Sequence, residues 1–330
     1  MPIIRDGLFN RGIHMDKTNF EDVKNIVKAL LKKDRRNFVH RISLLYQQAY
    51  SISPLYRDFI CKVINSSSLK IKYTSTKGYF SGIEEKGPAQ TLNRRCKNLI
   101  EFNFTWMSTL PHELGHAVDF WFGTDCPLTS KVDLGNNKSF YDIFTEEFNS
   151  KKEELYKLVV EEYKNIVNSN INENAYDILT SKIDVYRTLN SIPCKPKDPE
   201  ITKRRKELQD ELYESGFVEV YYQLKVKKCT DILNEKYSPI LDALSSEYNF
   251  ECLGLAHHRK GYYNAHKTLA AEEFFANAFS AEIMSNVQHF DNLRKYLPNT
   301  FNNFFKLFQI FYQRIQNNNR FTDVKLVEEK

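Results

Sequence analysis

The chain has 330 residues, of which 42% are apolar, 27% charged and 14% aromatic, with 24 Phe and 19 Tyr. This content supports a sizeable core, in one large domain or two ordinary ones, and excludes a wholly disordered or collagen-like chain. The 47 Lys and Arg against 42 Asp and Glu leave +5, too mild over this length to point to a nucleic-acid partner.

The chain opens Met1-Pro2-Ile3-Ile4-Arg5-Asp6-Gly7 without the apolar core of a signal peptide, and it contains no uninterrupted apolar run long enough for a membrane span. Synthesis in the cytosol and no membrane partner are therefore expected. Over residues 19–33, Phe20, Val23, Ile26, Val27, Leu30 and Leu31 recur at three- and four-residue spacing, the stripe of an amphipathic helix. A second helical stretch is expected over 39–63, broken near Pro54. Leu69-Lys70-Ile71-Lys72-Tyr73 alternates as a half-buried strand does. Residues 78–81 and 98–104 read as two more strands, separated by a polar loop containing Gly87 and Pro88. A small sheet is thus expected just before residue 105. Beyond it the pattern turns helical, with Leu155, Leu158, Val159, Tyr163 and Ile166 on one face. The stretch from Pro193 to Pro199 is a break. The basic run Lys203-Arg204-Arg205-Lys206 reads as a solvated helix start, because no aromatic interleaves it. Two closing helices are expected near 269–283 and 300–315. The class is α+β, mainly helical. The six cysteines (Cys61, Cys96, Cys126, Cys194, Cys229, Cys252) form no C-x-x-C pair and read as reduced thiols.

Thr109-Leu110-Pro111-His112-Glu113-Leu114-Gly115-His116-Ala117-Val118-Asp119 contains H-E-x-x-H. Residues four apart share a helix face, so His112 and His116 can reach one metal ion, with Glu113 one position round to address a water. Zinc suits such ligands and keeps an open position for that water. Ser108 or Thr109 can cap the helix, and Asp119 is placed to accept the spare N–H of an imidazole. A third ligand is still needed. No His stands six residues after His116, where Phe122 is found. Glu272 and Glu273, adjacent carboxylates in the apolar stretch 270–279, are the best candidates, since coordination relieves the cost of burying a charge.

With these segments in hand, the chain resembles the lethal-factor-like zinc peptidases, the glutamate-zincins related to the catalytic domain of anthrax lethal factor. The stretch from His112 to Asp119 is similar to that family's active-site helix, and Ser139-Phe140-Tyr141-Asp142-Ile143-Phe144-Thr145-Glu146-Glu147 to the helix that follows. Glu273-Phe274-Phe275-Ala276-Asn277-Ala278-Phe279 resembles its third-ligand segment, and Pro298-Asn299-Thr300-Phe301 its closing helix. Ser238-Pro239-Ile240-Leu241-Asp242-Ala243-Leu244 and His257-His258-Arg259-Lys260-Gly261-Tyr262-Tyr263 resemble the phage-encoded branch, whose members are minor head or capsid-associated proteins. The resemblance covers about residues 67–330 and implies a zincin-like domain there, with a helical insertion at about 150–235 and a separate helical segment over 1–66. It selects Glu273 over Glu272. It also implies a tyrosine that stabilises the oxyanion. Tyr262 and Tyr263 stand eleven and ten residues before Glu273, further than in lethal factor itself, with His266 at the closer spacing. The choice between the two neighbours stays open.

The expected activity is that of a zinc metalloendopeptidase with one Zn²⁺ held by His112, His116 and Glu273, Glu113 as general base, and a polypeptide substrate paired to a strand near 78–81. Two other readings stand beside it. One is a virion-associated morphogenesis protein, partnered by virion proteins, whose zinc site staples the fold through a fourth protein ligand such as His258 or Cys126. The other is a toxin delivered to a target cell, where it cuts a host protein.

Overall fold

The computed structural model describes residues 20–34, 41–66, 69–73, 79–83, 96–102, 109–120, 128–194, 197–248, 260–264, 267–317, 325 and 327. Its described residues are mostly helical, with thirteen α-helices and three short strands. They fall into two compact units. The first takes in the described parts of Met1–Asp125 with Ile283–Ser285 and Phe311–Phe321; the second takes in those of Cys126–Glu282, Asn286–Ile310 and Thr322–Lys330. The sequence boundary at residue 66 lies inside the first unit. Among the described residues no helix is long and apolar enough to cross a membrane.

The first unit begins with α1 (Phe20–Lys33), α2 (Ile42–Ser51) and α3 (Arg57–Asn65). On α1 the buried stripe is Val23, Ile26, Val27, Ala29 and Leu30. Phe20, expected in that stripe, is instead 64% exposed and stacks on Tyr46 at 5.8 Å between ring centres. Pro54 separates α2 from α3 by opening a 3-10 turn, Pro54–Tyr56. Arg57 is buried there and donates from Nε to the Ile52 carbonyl at 3.1 Å and from Nη2 to that of Tyr50 at 3.4 Å, so a cation satisfies carbonyls at the end of α2.

The strands β1 (Lys70–Tyr73), β2 (Tyr79–Ile83) and β3 (Cys96–Phe102) form a sheet in the order β1-β3-β2. β1 runs parallel to β3, with Ile71 opposite Ile100; β2 runs antiparallel to it, with Phe80 opposite Ile100 and an irregularity between Ser81 and Ile83. Leu69 and Ile71 are buried while Lys70 and Lys72 are exposed, the alternation a one-sided strand requires. Among the described residues β2 therefore forms one edge of the sheet. Helix α4 (Thr109–Asp119) packs against β2 and β3.

The second unit is built around α5 (Phe140–Asn170), one helix that takes in both the 139–147 stretch marked by resemblance and the periodic positions that begin at Leu155. Ser139 caps it in a reciprocal capping box with Asp142. Next come α6 (Ala175–Ser181), α7 (Ile183–Ser191), α8 (Pro199–Glu214) and α9 (Phe217–Val226). The break from Pro193 to Pro199 is the entry to α8: the Asp198 side chain accepts from the Glu200 amide at 2.8 Å and Pro199 opens the first turn. The basic run lies on α8. There Arg204 pairs with Glu207, while Arg205 donates to the Leu189 and Ile192 carbonyls at the end of α7.

Helix α10 (Cys229–Glu247) carries Pro239 in its interior. Proline has no N–H for the carbonyl four residues back and crowds it. Side chains around the start of the next-but-one helix meet the carbonyls there: Asn286 donates to that of Glu235 at 3.4 Å, His289 Nε2 approaches that of Asn234 at 2.9 Å, and Asn292 donates to that of Lys236 at 2.9 Å. Helices α11 (Leu269–Ile283), α12 (Val287–Tyr296) and α13 (Pro298–Gln316) close the chain.

Phenylalanines bind the second unit together. Phe144 lies 4.9 Å from Phe274, Phe140 6.0 Å from Phe275, Phe275 5.6 Å from Phe304, and Phe279 5.7 Å from Phe308. Residues 271–280 of α11 are all buried, which is why that helix reads as apolar on every side. A carboxylate fixes the entry to α13. Buried Glu147 on α5 accepts from the Asn299 amide at 3.0 Å and the Thr300 amide at 2.7 Å, taking up N–H groups that the helix cannot satisfy itself. Replacing Glu147 with Ala should lower unfolding stability by roughly 1–3 kcal/mol in urea titrations, with Gln in between, because two helix-end N–H groups, that of buried Thr300 among them, lose an anionic acceptor.

Candidate metal centre

Helix α4 puts the H-E-x-x-H residues on a buried element. Pro111 falls in its first turn, where the missing N–H costs nothing. Along the rest of the helix Leu110, Leu114, Ala117 and Val118 are buried. His112 is half-buried and His116 buried, one turn apart. Their rings meet edge to face at 85°, with the two Nε2 atoms 3.2 Å apart. Two imidazoles on a tetrahedral zinc, each at about 2.0–2.1 Å, bring their nitrogens to about 3.3 Å. The spacing fits a ligand pair, and it also fits an Nε2–H···Nε2 hydrogen bond between neutral rings. Glu113 and Asp119 are buried on the same helix, Asp119 completely.

In the second unit, Glu272 and Glu273 sit in the first turns of α11, 3% and 1% exposed. They have different partners. The Thr268 hydroxyl donates to Glu272 Oε1 at 2.6 Å, so Glu272 is engaged at the start of its own helix. Glu273 Oε1 instead accepts from the Tyr262 hydroxyl at 2.8 Å. Tyr262 belongs to the 3-10 turn Lys260–Asn264 and is 39% exposed. Tyr263, its neighbour, points elsewhere: it is buried and donates to Asp242 Oδ1 at 2.9 Å. Burial, then the negative charges of Asp242 and Glu273, push the Tyr263 hydroxyl far above the ordinary tyrosine range. The two tyrosines that the sequence could not separate are therefore in different environments, one on a candidate ligand and one on a buried aspartate.

Among the described residues, His112, His116 and Glu273 form a group of three ligating side chains whose donor atoms lie within 4.8 Å of one another. Two imidazole nitrogens and one carboxylate oxygen are a donor set that zinc accepts, with a position left for water. No family model, curated protein or solved structure matches the chain.

His257, His258, His266, Cys126 and Cys252 lie outside the described residues, as does Ser108. Cys61, Cys194 and Cys229 are free thiols, and burial pushes those of Cys61 and Cys229 up. The sequence reading passed over Asp242 and Asn277; the Asn277 amide donates to Asp242 and to the backbone carbonyl of Glu273. Their signal was a charged and an amide side chain within apolar helical stretches, the same signal that drew attention to Glu272 and Glu273. In chelator-competition titrations, His116→Ala and Glu273→Ala should each weaken zinc binding by more than about 100-fold, and Glu272→Gln should change it by less than about threefold.

Proposed function

We propose that this chain is a zinc-dependent metalloendopeptidase of the lethal-factor-like, glutamate-zincin type. His112, His116 and Glu273 hold the ion. The observation that carries this reading is the 3.2 Å approach of the two Nε2 atoms on a buried helix. With both imidazoles protonated on Nδ1, as metal ligation through Nε2 requires, the two Nε2 lone pairs face each other and repel at that distance, and a shared cation converts the repulsion into attraction.

Bound zinc supplies Lewis-acid polarisation of the substrate carbonyl and a pKa near ~7 for water in its open position. The chain's own residues do the rest. Glu113 takes a proton from the attacking water and returns it to the leaving amine, and its buried position keeps that carboxylate from being fully hydrated. Tyr262 is the oxyanion donor. Its hydroxyl already lies at Glu273 and its side chain is partly open to an incoming ligand. Such a donor contributes about 3–4 kcal/mol when it is aimed before the charge develops. Tyr263, committed to Asp242, is a support rather than a donor. Substrate enters as an extended segment along the edge strand β2, whose outer backbone groups can take an added strand.

Glu113→Gln tests this reading. Zinc content should match that of the parent chain while cleavage of a peptide library falls by at least about 100-fold. Turnover at the parental rate would remove Glu113 from the general-base role.

A further inference from the structure

Helices α10 and α11 each bring two polar side chains, four residues apart, to one buried cluster: Ser238 and Asp242 from the first, Glu273 and Asn277 from the second. Asp242 is completely buried. Each of its oxygens has a donor, the Tyr263 hydroxyl on Oδ1 at 2.9 Å and Asn277 Nδ2 on Oδ2. Asn277 Nδ2 also reaches the Glu273 carbonyl at 3.1 Å, and the Ser238 hydroxyl donates to Asn277 Oδ1 at 3.2 Å. The amide is thus held at both ends. Tyr263 carries the order onward, since its ring meets that of Tyr262 edge to face at 5.4 Å between centres, and Tyr262 holds Glu273 Oε1.

Burying a carboxylate on neutral donors costs more than filling the same volume with an apolar side chain, so such a group adds little to stability on its own account. Its geometric consequence is larger. One side chain ties together α10, the turn that carries Tyr262, and the helix that carries Glu273. We propose that Asp242 is a positioning residue for the metal centre: through Tyr263 and Asn277 it sets the direction of the Glu273 carboxylate and the Tyr262 hydroxyl. This inference rests on the metallopeptidase reading. It adds to it the residue that aims the ligand contributed by α11.

The test is zinc affinity by chelator competition on the full chain, beside metal-free thermal melting of the same variants. Tyr263→Phe keeps the ring but removes one Asp242 donor. Asp242→Asn sets two amide donors against each other. Both should bind zinc about 10–100-fold more weakly. Asp242→Asn combined with Asn277→Asp restores one carboxylate and one amide in facing positions, and most of the lost affinity should return. Leu179→Ala, a buried change on α6 in the same unit, should lower the melting temperature without moving the zinc affinity. Should Asp242→Asn not fold, Tyr263→Phe alone carries the comparison. A parent chain that binds no zinc overturns the metallopeptidase reading, and this inference with it. A parent chain that binds zinc, with Tyr263→Phe and Asp242→Asn binding equally tightly, overturns only the positioning role.

Discussion

Two imidazole nitrogens 3.2 Å apart constrain everything built around them. At that distance they share a proton or a cation, or they push apart. Helix α4 cannot relax the contact by rotating, because its other residues are committed to packing: Leu110, Leu114 and Val118 are fully buried, and the helix lies against β2 and β3. The close pair is therefore maintained by a hydrophobic helix rather than by the histidines themselves. This is the usual economy of a preorganised site, in which apolar burial supplies the stability and polar groups supply the function.

The second unit solves a related problem with buried carboxylates. Glu147, Asp242, Glu272 and Glu273 are all nearly inaccessible to water, and each has a named hydrogen-bond donor. Their duties differ. Glu147 caps the start of α13 and is architectural. Glu272 accepts from Thr268, the residue just ahead of its own helix. Asp242 and Glu273 are tied through Asn277 and the tyrosine pair, so the architecture of α10 reaches the candidate ligand through directional bonds. A helix buried on all sides, as α11 is over 271–280, has no solvent face to anchor its rotation. Specific polar contacts are then what distinguishes one rotation from the next.

Residues far from the site follow the same logic of compensation. Pro239 interrupts the ladder of α10, and Asn286, His289 and Asn292 meet carbonyls one turn before it. Arg57 is buried against carbonyls at the end of α2, and Arg205 reaches those at the end of α7. In each case side-chain donors meet backbone carbonyls at a helix end or at an interruption of its ladder.

Local periodicity made much of this legible from the sequence. The stripe on α1, the alternation of Leu69 to Lys72, the limits of α11 and the one-turn spacing of His112 and His116 all follow from the geometry of a single element, which depends only on neighbours in the chain. Where the outcome depended on other elements, the sequence was silent. Phe20 matched the α1 stripe and yet stacks outside it on Tyr46, and Tyr262 and Tyr263, adjacent and chemically identical, face Glu273 and Asp242 respectively. Which of two neighbouring phenols meets which carboxylate is set by how a short turn packs against α10 and α11. That packing is a sum of distant contacts, and no run of consecutive residues encodes it.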